Sequence, residues 1–243
     1  MIDFSIVVPA YNEEAYIAKT LVALRQSIQL VPKNEASAEI VVVDHSSTDN
    51  TAREANLADT ILNLPRGGSI GSVRNFGAKG SKGKMIVFVD ADTIVPENFF
   101  ATLVAFAEAG VVGGAVRGFY EPKSWLIQQY ARFWDWYAAR SSRPMTQGVC
   151  QYIRREEFEA IGGYDEGLWF AEDTDFYWRL HDHAQEHGKL LGIPTDVFVF
   201  PSSRRMDKWP AWKMIFWTNP YMSKFRLKSA RHWQNWYGRG TVR

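Results

Sequence analysis

The chain has 243 residues, 46% hydrophobic and 23% charged, with a formal net charge of +1 and a single cysteine, Cys150. One thiol excludes an internal disulfide framework and fits a reducing compartment, and no apolar run approaches the roughly 18 residues of a membrane-spanning helix. The first five residues lack the basic start and long apolar stretch of a signal peptide, so a soluble, cytoplasmic protein is expected. The small net charge conceals an asymmetry. Residues 204–243 hold ten Lys or Arg against one acid, Asp207, so this stretch carries +9 and the preceding body −8.

Phe4-Ser5-Ile6-Val7-Val8 and Glu39-Ile40-Val41-Val42-Val43 are β-branched apolar runs that end in polar residues, the pattern of parallel strands buried on both faces. Between them, Ile17, Leu21, Leu24 and Ile28 fall on one face of a helix over 13–29. Thr48 or Asp49 is placed to cap a second helix through Asn56, and Thr60-Ile61-Leu62 reads as a short strand. A helix over 69–79 and a strand at Met85-Ile86-Val87-Phe88-Val89 follow. Strands alternating with helices through residue 90 predict βαβ units and a parallel sheet. Beyond residue 95 the pattern loosens. Helices are expected over 97–108, 124–139, 156–161 and 172–187. Residues 111–120 read as one long strand or a strand pair, and 147–154 and 195–200 as extended. Gly162-Gly163 stops the short third helix of that set.

The chemistry gathers at the strand ends, where an open α/β sheet binds its ligands. Asp90-Ala91-Asp92 follows a buried strand, and two carboxylates one residue apart suit a hard divalent cation, which in turn suits a diphosphate. Strand one ends in Pro9-Ala10-Tyr11-Asn12-Glu13-Glu14, and strand two in Asp44-His45-Ser46-Ser47-Thr48-Asp49. Gly71-Ser72-Val73-Arg74-Asn75-Phe76-Gly77 opens a helix. Gly162-Gly163-Tyr164 and Glu172-Asp173 come about eighty residues after the acidic pair. In this order, over residues 4–205, these motifs resemble glycosyltransferase family 2, the inverting nucleotide-sugar enzymes of GT-A fold.

The resemblance implies an α/β fold with a Rossmann-like, mostly parallel central sheet flanked by helices. It divides residues 1–205 into a nucleotide half (about 1–95) and an acceptor half (96–205), leaving 206–243 as a helical, basic and aromatic C-terminal extension. It further implies that Asp92 binds Mn²⁺ or Mg²⁺ while Asp90, beside Ala91, contacts sugar or ribose. Tyr11, following Pro9, offers the base a stacking face, and Glu13 accepts from ribose or base. Asp44 accepts a ring N–H, which a uracil or a guanine supplies, so a UDP-sugar donor is favoured and a GDP-sugar is compatible. Relatives carry a second Asp where this chain has His45, which reads as a loop residue. Arg74 reaches the base or diphosphate, or else pairs with Asp90. Arg204 and Arg205, in Ser202-Ser203-Arg204-Arg205, grip phosphates or simply begin the basic tail. Asp173, with Glu172 beside it, is the expected base toward a hydroxyl acceptor, and an ordinary Asp pKa near 3.9 would need no tuning for that. Trp169 stacks under sugar or acceptor, or packs in the core.

The tail interleaves cations with Trp, Phe and Tyr. It fits peripheral attachment to an anionic membrane surface, or a helix pair packed over the acceptor site. Nucleic acid fits poorly, since the body is acidic and carries no nucleic-acid-binding motif. Two other activities remain compatible with the motifs: a retaining transferase on the same fold, and a non-catalytic nucleotide-sugar-binding membrane adaptor.

Overall fold

The computed structural model of the chain describes residues 2–138, 148–208, 210–218 and 228–229. In chain order the first elements are β1 (Phe4–Ala10), α1 (Ile17–Gln29), β2 (Ala38–Asp44), α2 (Thr51–Glu54), β3 (Thr60–Asn63), α3 (Ile70–Gly80) and β4 (Met85–Val89). There follow β5 (Thr93–Ile94), α4 (Phe99–Glu108), β6 (Val111–Ala115), β7 (Arg117–Gly118), α5 (Trp125–Ala138), β8 (Cys150–Arg154) and α6 (Arg155–Ala160). The last elements are α7 (Glu172–Glu186), β9 (Leu190–Gly192), β10 (Phe198–Pro201), α8 (Arg204–Lys208) and α9 (Ala211–Thr218).

Seven strands form the main sheet in the order β3-β2-β1-β4-β8-β6-β9. The first four are mutually parallel, as the β-branched runs predict. Every residue of β1 and β4 is buried, because both faces of the sheet are covered. On one face α1 and α4 bring Ile17, Leu21, Leu24, Phe99, Phe100 and Leu103 against Ile6, Val8, Ile40, Val42 and Val87. On the other, α3 and α7 bring Val73, Ala78, Phe176 and Leu180 against Val7, Val43, Ile86 and Phe88. Each such side chain contributes about 1.5–3 kcal/mol by leaving water. Close approach of α3 demands Gly77, since a Cβ there would overlap the Val7 and Val43 side chains.

The chain order reverses at β1, with β2 and β3 on one side and β4 on the other. Such a reversal opens a crevice beyond the carboxyl ends of the two diverging strands. The register shows the opening: β1 stays paired with β2 to Ala10, but its pairing with β4 ends at Val7. Pro9, which lacks an N–H, therefore lies where the ladder to β4 has already stopped.

The second half departs from the simple pattern. β8 inserts antiparallel between β4 and β6, so consecutive strands of the chain are not neighbours in the sheet. Residues 111–120 form two strands, broken at Val116, whose N–H turns to Cys150 O at 3.0 Å. The second of them, β7, joins β10 and β5 in a small three-stranded sheet. The two-residue β5 and the three-residue β9 are too short to show any periodicity. α1 begins at Ile17 instead of residue 13, because residues 13–16 are occupied by turns closing on Glu13 O. α2 covers only four residues, with Asp49 accepting the Thr51 N–H at 3.0 Å.

Candidate active site

The loops after β1 and β2 are stitched together across the crevice. Asn12, in the left-handed region at φ 52°, donates its N–H to Ser47 Oγ (3.0 Å) and accepts the Thr48 N–H at its Oδ1 (2.8 Å). Asp44, buried at the end of β2, accepts the Ser47 N–H at 3.2 Å. Tyr11 is half-buried and meets the His45 ring edge-on, 6.3 Å between centroids. His45 is buried and its Nε2 bonds the Gly67 carbonyl at 2.9 Å, so it holds the β3–α3 loop and faces inward. Pro9 is buried within β1 and shapes the strand end, presenting no surface to the crevice. Ala91 is buried too, its carbonyl accepting the Thr20 hydroxyl at 2.8 Å.

Asp90 and Asp92 line a small cavity with Tyr120, Val149, Pro201 and Ser202. β10 reaches this place because the Ser202 N–H donates to the Asp92 carbonyl at 3.0 Å. The turn that follows delivers Arg204, whose guanidinium pairs with Glu13 and lies 3.2 Å from Asp92 Oδ2, with its Cζ 4.4 Å from the Tyr16 ring centroid. The Arg205 side chain lies outside the described residues, as does most of the tail.

The second acid pair stands at the start of α7. Ala171 takes the left-handed conformation at φ 58°, uncommon for a residue with a Cβ, and turns the chain so that Glu172 and Asp173 begin the helix. Behind them stands Arg74, 2% exposed. Its Nη1 donates to Glu172 Oε1 (2.9 Å), and its Nη2 to Asp90 Oδ1 (3.0 Å) and to the Gly148 carbonyl (3.1 Å). The Tyr164 ring lies 5.2 Å from its Cζ. The structure contains the pair of Arg74 with Asp90, and extends it to a residue 98 positions away in the chain. Trp169 is half-buried in the loop before Ala171.

Two supporting residues, Gln151 and Gly148, escaped the sequence reading, and a third, Asn75, lay within its glycine-rich motif. Gln151, fully buried in β8, accepts the Tyr164 hydroxyl (2.8 Å) and donates to the Asp173 carbonyl (2.9 Å). Its signal was a polar residue inside the apolar run Val149-Cys150-Gln151-Tyr152-Ile153. Gly148 packs so close to Asp173 that a Cβ would overlap that carboxylate. Asn75 holds Tyr164 through both backbone groups, each at 2.9 Å.

The family model for glycosyl transferase family 2 matches residues 5–162. The chain belongs to glycosyl transferase family 2. Among curated members of the family, a poly(ribitol-phosphate) β-N-acetylglucosaminyltransferase of Staphylococcus aureus is 35% identical over 114 residues, 44% of this chain and 19% of that protein. The glycosyltransferase AglE of Haloferax volcanii is 26% identical over 205 residues, 79% of this chain and 64% of that one. The chain therefore spans from about a fifth to just under two thirds of these relatives' lengths. Two solved structures share the GT-A fold at 23% identity. The S. aureus TarS fragment 1–349 with UDP-GlcNAc superposes with a TM-score of 0.63, covering 83% of this chain and 58% of that one. A Pyrobaculum calidifontis mannosyltransferase with GDP-Man and Mn²⁺ gives 0.60, covering 81% and 56%.

Within this family frame the two acid pairs differ in their surroundings. Burial and the neighbouring Asp173 charge push Glu172 up to about 7, against the pull of Arg74. Asp173 is also raised, by burial, while Arg74 and the Thr174 and Gly148 N–H groups oppose the rise. Adjacent carboxyls of this kind release their protons as a pair. The expectation that Asp173 keeps an ordinary acidity is thereby corrected.

A divalent cation fits the Asp90–Asp92 cavity by its chemistry. Among the described residues no group of three or more His, Cys, Asp and Glu converges on one point. Mg²⁺ and Mn²⁺ bound with a nucleotide need no such cage, since one or two carboxylates, phosphate oxygens and water complete their coordination. Asp92 lines the cavity and already faces a cation in Arg204.

Proposed function

We propose that the chain transfers a sugar from a nucleoside diphosphate sugar, UDP-linked in preference to GDP-linked, to a hydroxyl acceptor with inversion at the anomeric carbon. One observation carries the reading: Asp90 of the donor side and Glu172 of the acceptor side meet on the same guanidinium, at 3.0 and 2.9 Å. The two acid motifs therefore border one reaction space. A direct displacement needs a base on the acceptor and charge stabilisation on the leaving diphosphate, and each motif suits one of these tasks. Asp173 takes the acceptor's hydroxyl proton as that oxygen bonds to the anomeric carbon, and the bond to the β-phosphate oxygen breaks with its electron pair leaving on the diphosphate. Tyr11 and Asp44 hold the base, Asp90 the sugar or ribose, and Arg204 and Arg205 the phosphates. Mn²⁺ or Mg²⁺ at Asp92 would stabilise the charge that develops there. The UDP-GlcNAc and the GDP-Man with Mn²⁺ named for the two structural neighbours support this donor class.

An anionic membrane surface is the proposed site of attachment. Trp125, Leu126, Phe133 and Trp136 on α5 and Trp212 and Phe216 on α9 are exposed, and by sequence residues 204–243 carry +9. No helix among the described residues is long and apolar enough to cross a membrane. Sedimentation with phosphatidylglycerol vesicles, and its loss in phosphatidylcholine alone, checks this.

The primary test is calorimetric titration of UDP and GDP, with and without Mn²⁺, on the wild type and Asp92→Asn. Metal-dependent binding of one nucleotide that the variant loses supports the donor site and identifies the base. No binding under any condition overturns it, and a product retaining the donor's anomeric configuration overturns inversion.

A further inference from the structure

Arg74 is the only described cation touching Asp90 and Glu172, and Asp173 stands next in the chain. One buried positive charge thus confronts three carboxyls. The guanidinium is not turned toward solvent or ligand: it is 2% exposed, covered by the Tyr164 ring, and anchored on the Gly148 carbonyl. Gly148 also touches Asp173 directly. A planar fork with fixed donors can hold two carboxylates on different elements, which an ammonium on a flexible stem does poorly.

We propose that Arg74 is a positioning residue of the transfer, clamping Asp90 and Glu172 together so that Asp173 stays deprotonated and aimed at the acceptor, without itself touching the donor. This rests on the glycosyl-transfer reading of the site. The charged or titratable described groups facing the Glu172–Asp173 pair are Arg74 from α3, Asp90 from the end of β4 and Tyr164 from the loop before α7. Removing the one cation among them leaves only like charge and a phenol, which holds protons on the pair to higher pH.

The test uses the full chain with Arg74→Met, Arg74→Lys and Glu172→Gln, read by ¹³C carboxyl NMR titration and by calorimetric binding of UDP with Mn²⁺. Arg74→Met should move the last proton release of the pair upward by about one pH unit. Arg74→Lys, which retains the charge and survives if the Met variant fails to fold, should shift it in the same direction by less. Glu172→Gln, which leaves Arg74 one carboxyl fewer to serve, should shift Asp173 downward. UDP affinity should stay within about threefold in both Arg74 variants, because the guanidinium is buried and spends its bonds on protein groups. An unshifted titration in Arg74→Lys and Glu172→Gln, or a tenfold loss of UDP binding in Arg74→Lys with carboxyls unmoved, overturns the proposal and makes Arg74 structural or a donor ligand respectively. If the wild type binds no nucleotide, the transferase reading fails separately, and the NMR shifts still decide whether the clamp exists.

Discussion

The two acid pairs of the crevice are made of the same chemistry and share one cation, Arg74, yet the fold gives them different surroundings. Asp90 and Asp92 follow a strand end and line a cavity, and Asp92 also meets Arg204, delivered by the turn after β10. Glu172 and Asp173 start a helix whose first residue is 7% exposed and meet Arg74, a cation enclosed on all sides. Arg204 is partly exposed, so a metal ion with a diphosphate can take its place at Asp92, whereas the buried Arg74 leaves no such exchange open at Glu172.

The largest test of that contrast is Asp173→Asn. It should lower kcat/KM by about 10³-fold while metal-dependent UDP binding stays unchanged, since general-base contributions run to roughly 10²–10⁴. In the wild type the acid limb of the rate profile should lie above the ordinary Asp range near 3.9, because burial raises Asp173. Asp92→Asn should do the converse, removing about 3 kcal/mol of metal-dependent stabilisation, or ~10²-fold in rate, with the loss visible already in UDP binding. Gly148→Ala should reduce kcat by about tenfold at unchanged UDP affinity, since the added methyl displaces the Asp173 carboxylate and a small misplacement is costly to a reacting geometry.

A smaller effect concerns stability. The folded-state value of Glu172, about 7, exceeds its ordinary value near 4.3, so the folded chain holds that proton more tightly than the unfolded chain. This stabilisation is complete below about pH 4.3 and is lost as pH rises through about 7. Thermal melts should show the wild type declining between pH 5 and 8 relative to Glu172→Gln, by about 3 °C. The packing of α3 on the sheet is tested separately: Gly77→Ala is expected to cost about 1–3 kcal/mol in denaturant unfolding, with no shift in the pH profile.

Much of this was legible in the order of residues. The β-branched runs at 4–8, 39–43 and 85–89 specified a parallel sheet because a strand covered on both faces has no room for polar alternation. The acids at 44, 90 and 92 were legible because strand ends of such a sheet are where ligands bind. Less was legible beyond residue 95. An antiparallel strand inserted out of chain order leaves no periodic mark, and strands of two or three residues are shorter than any pattern. The sequence by itself therefore determined the parallel strands β1 to β4, the family and the positions of the two acid motifs, since these depend on local period and spacing. Only the tertiary structure decided that Arg74 turns inward to join Asp90 with Glu172, that Arg204 returns to Asp92, and that burial raises the acceptor-side acids. Those are properties of contacts between residues 98 and 112 positions apart, where solvent exclusion and partner geometry, absent from any local pattern, set the charge.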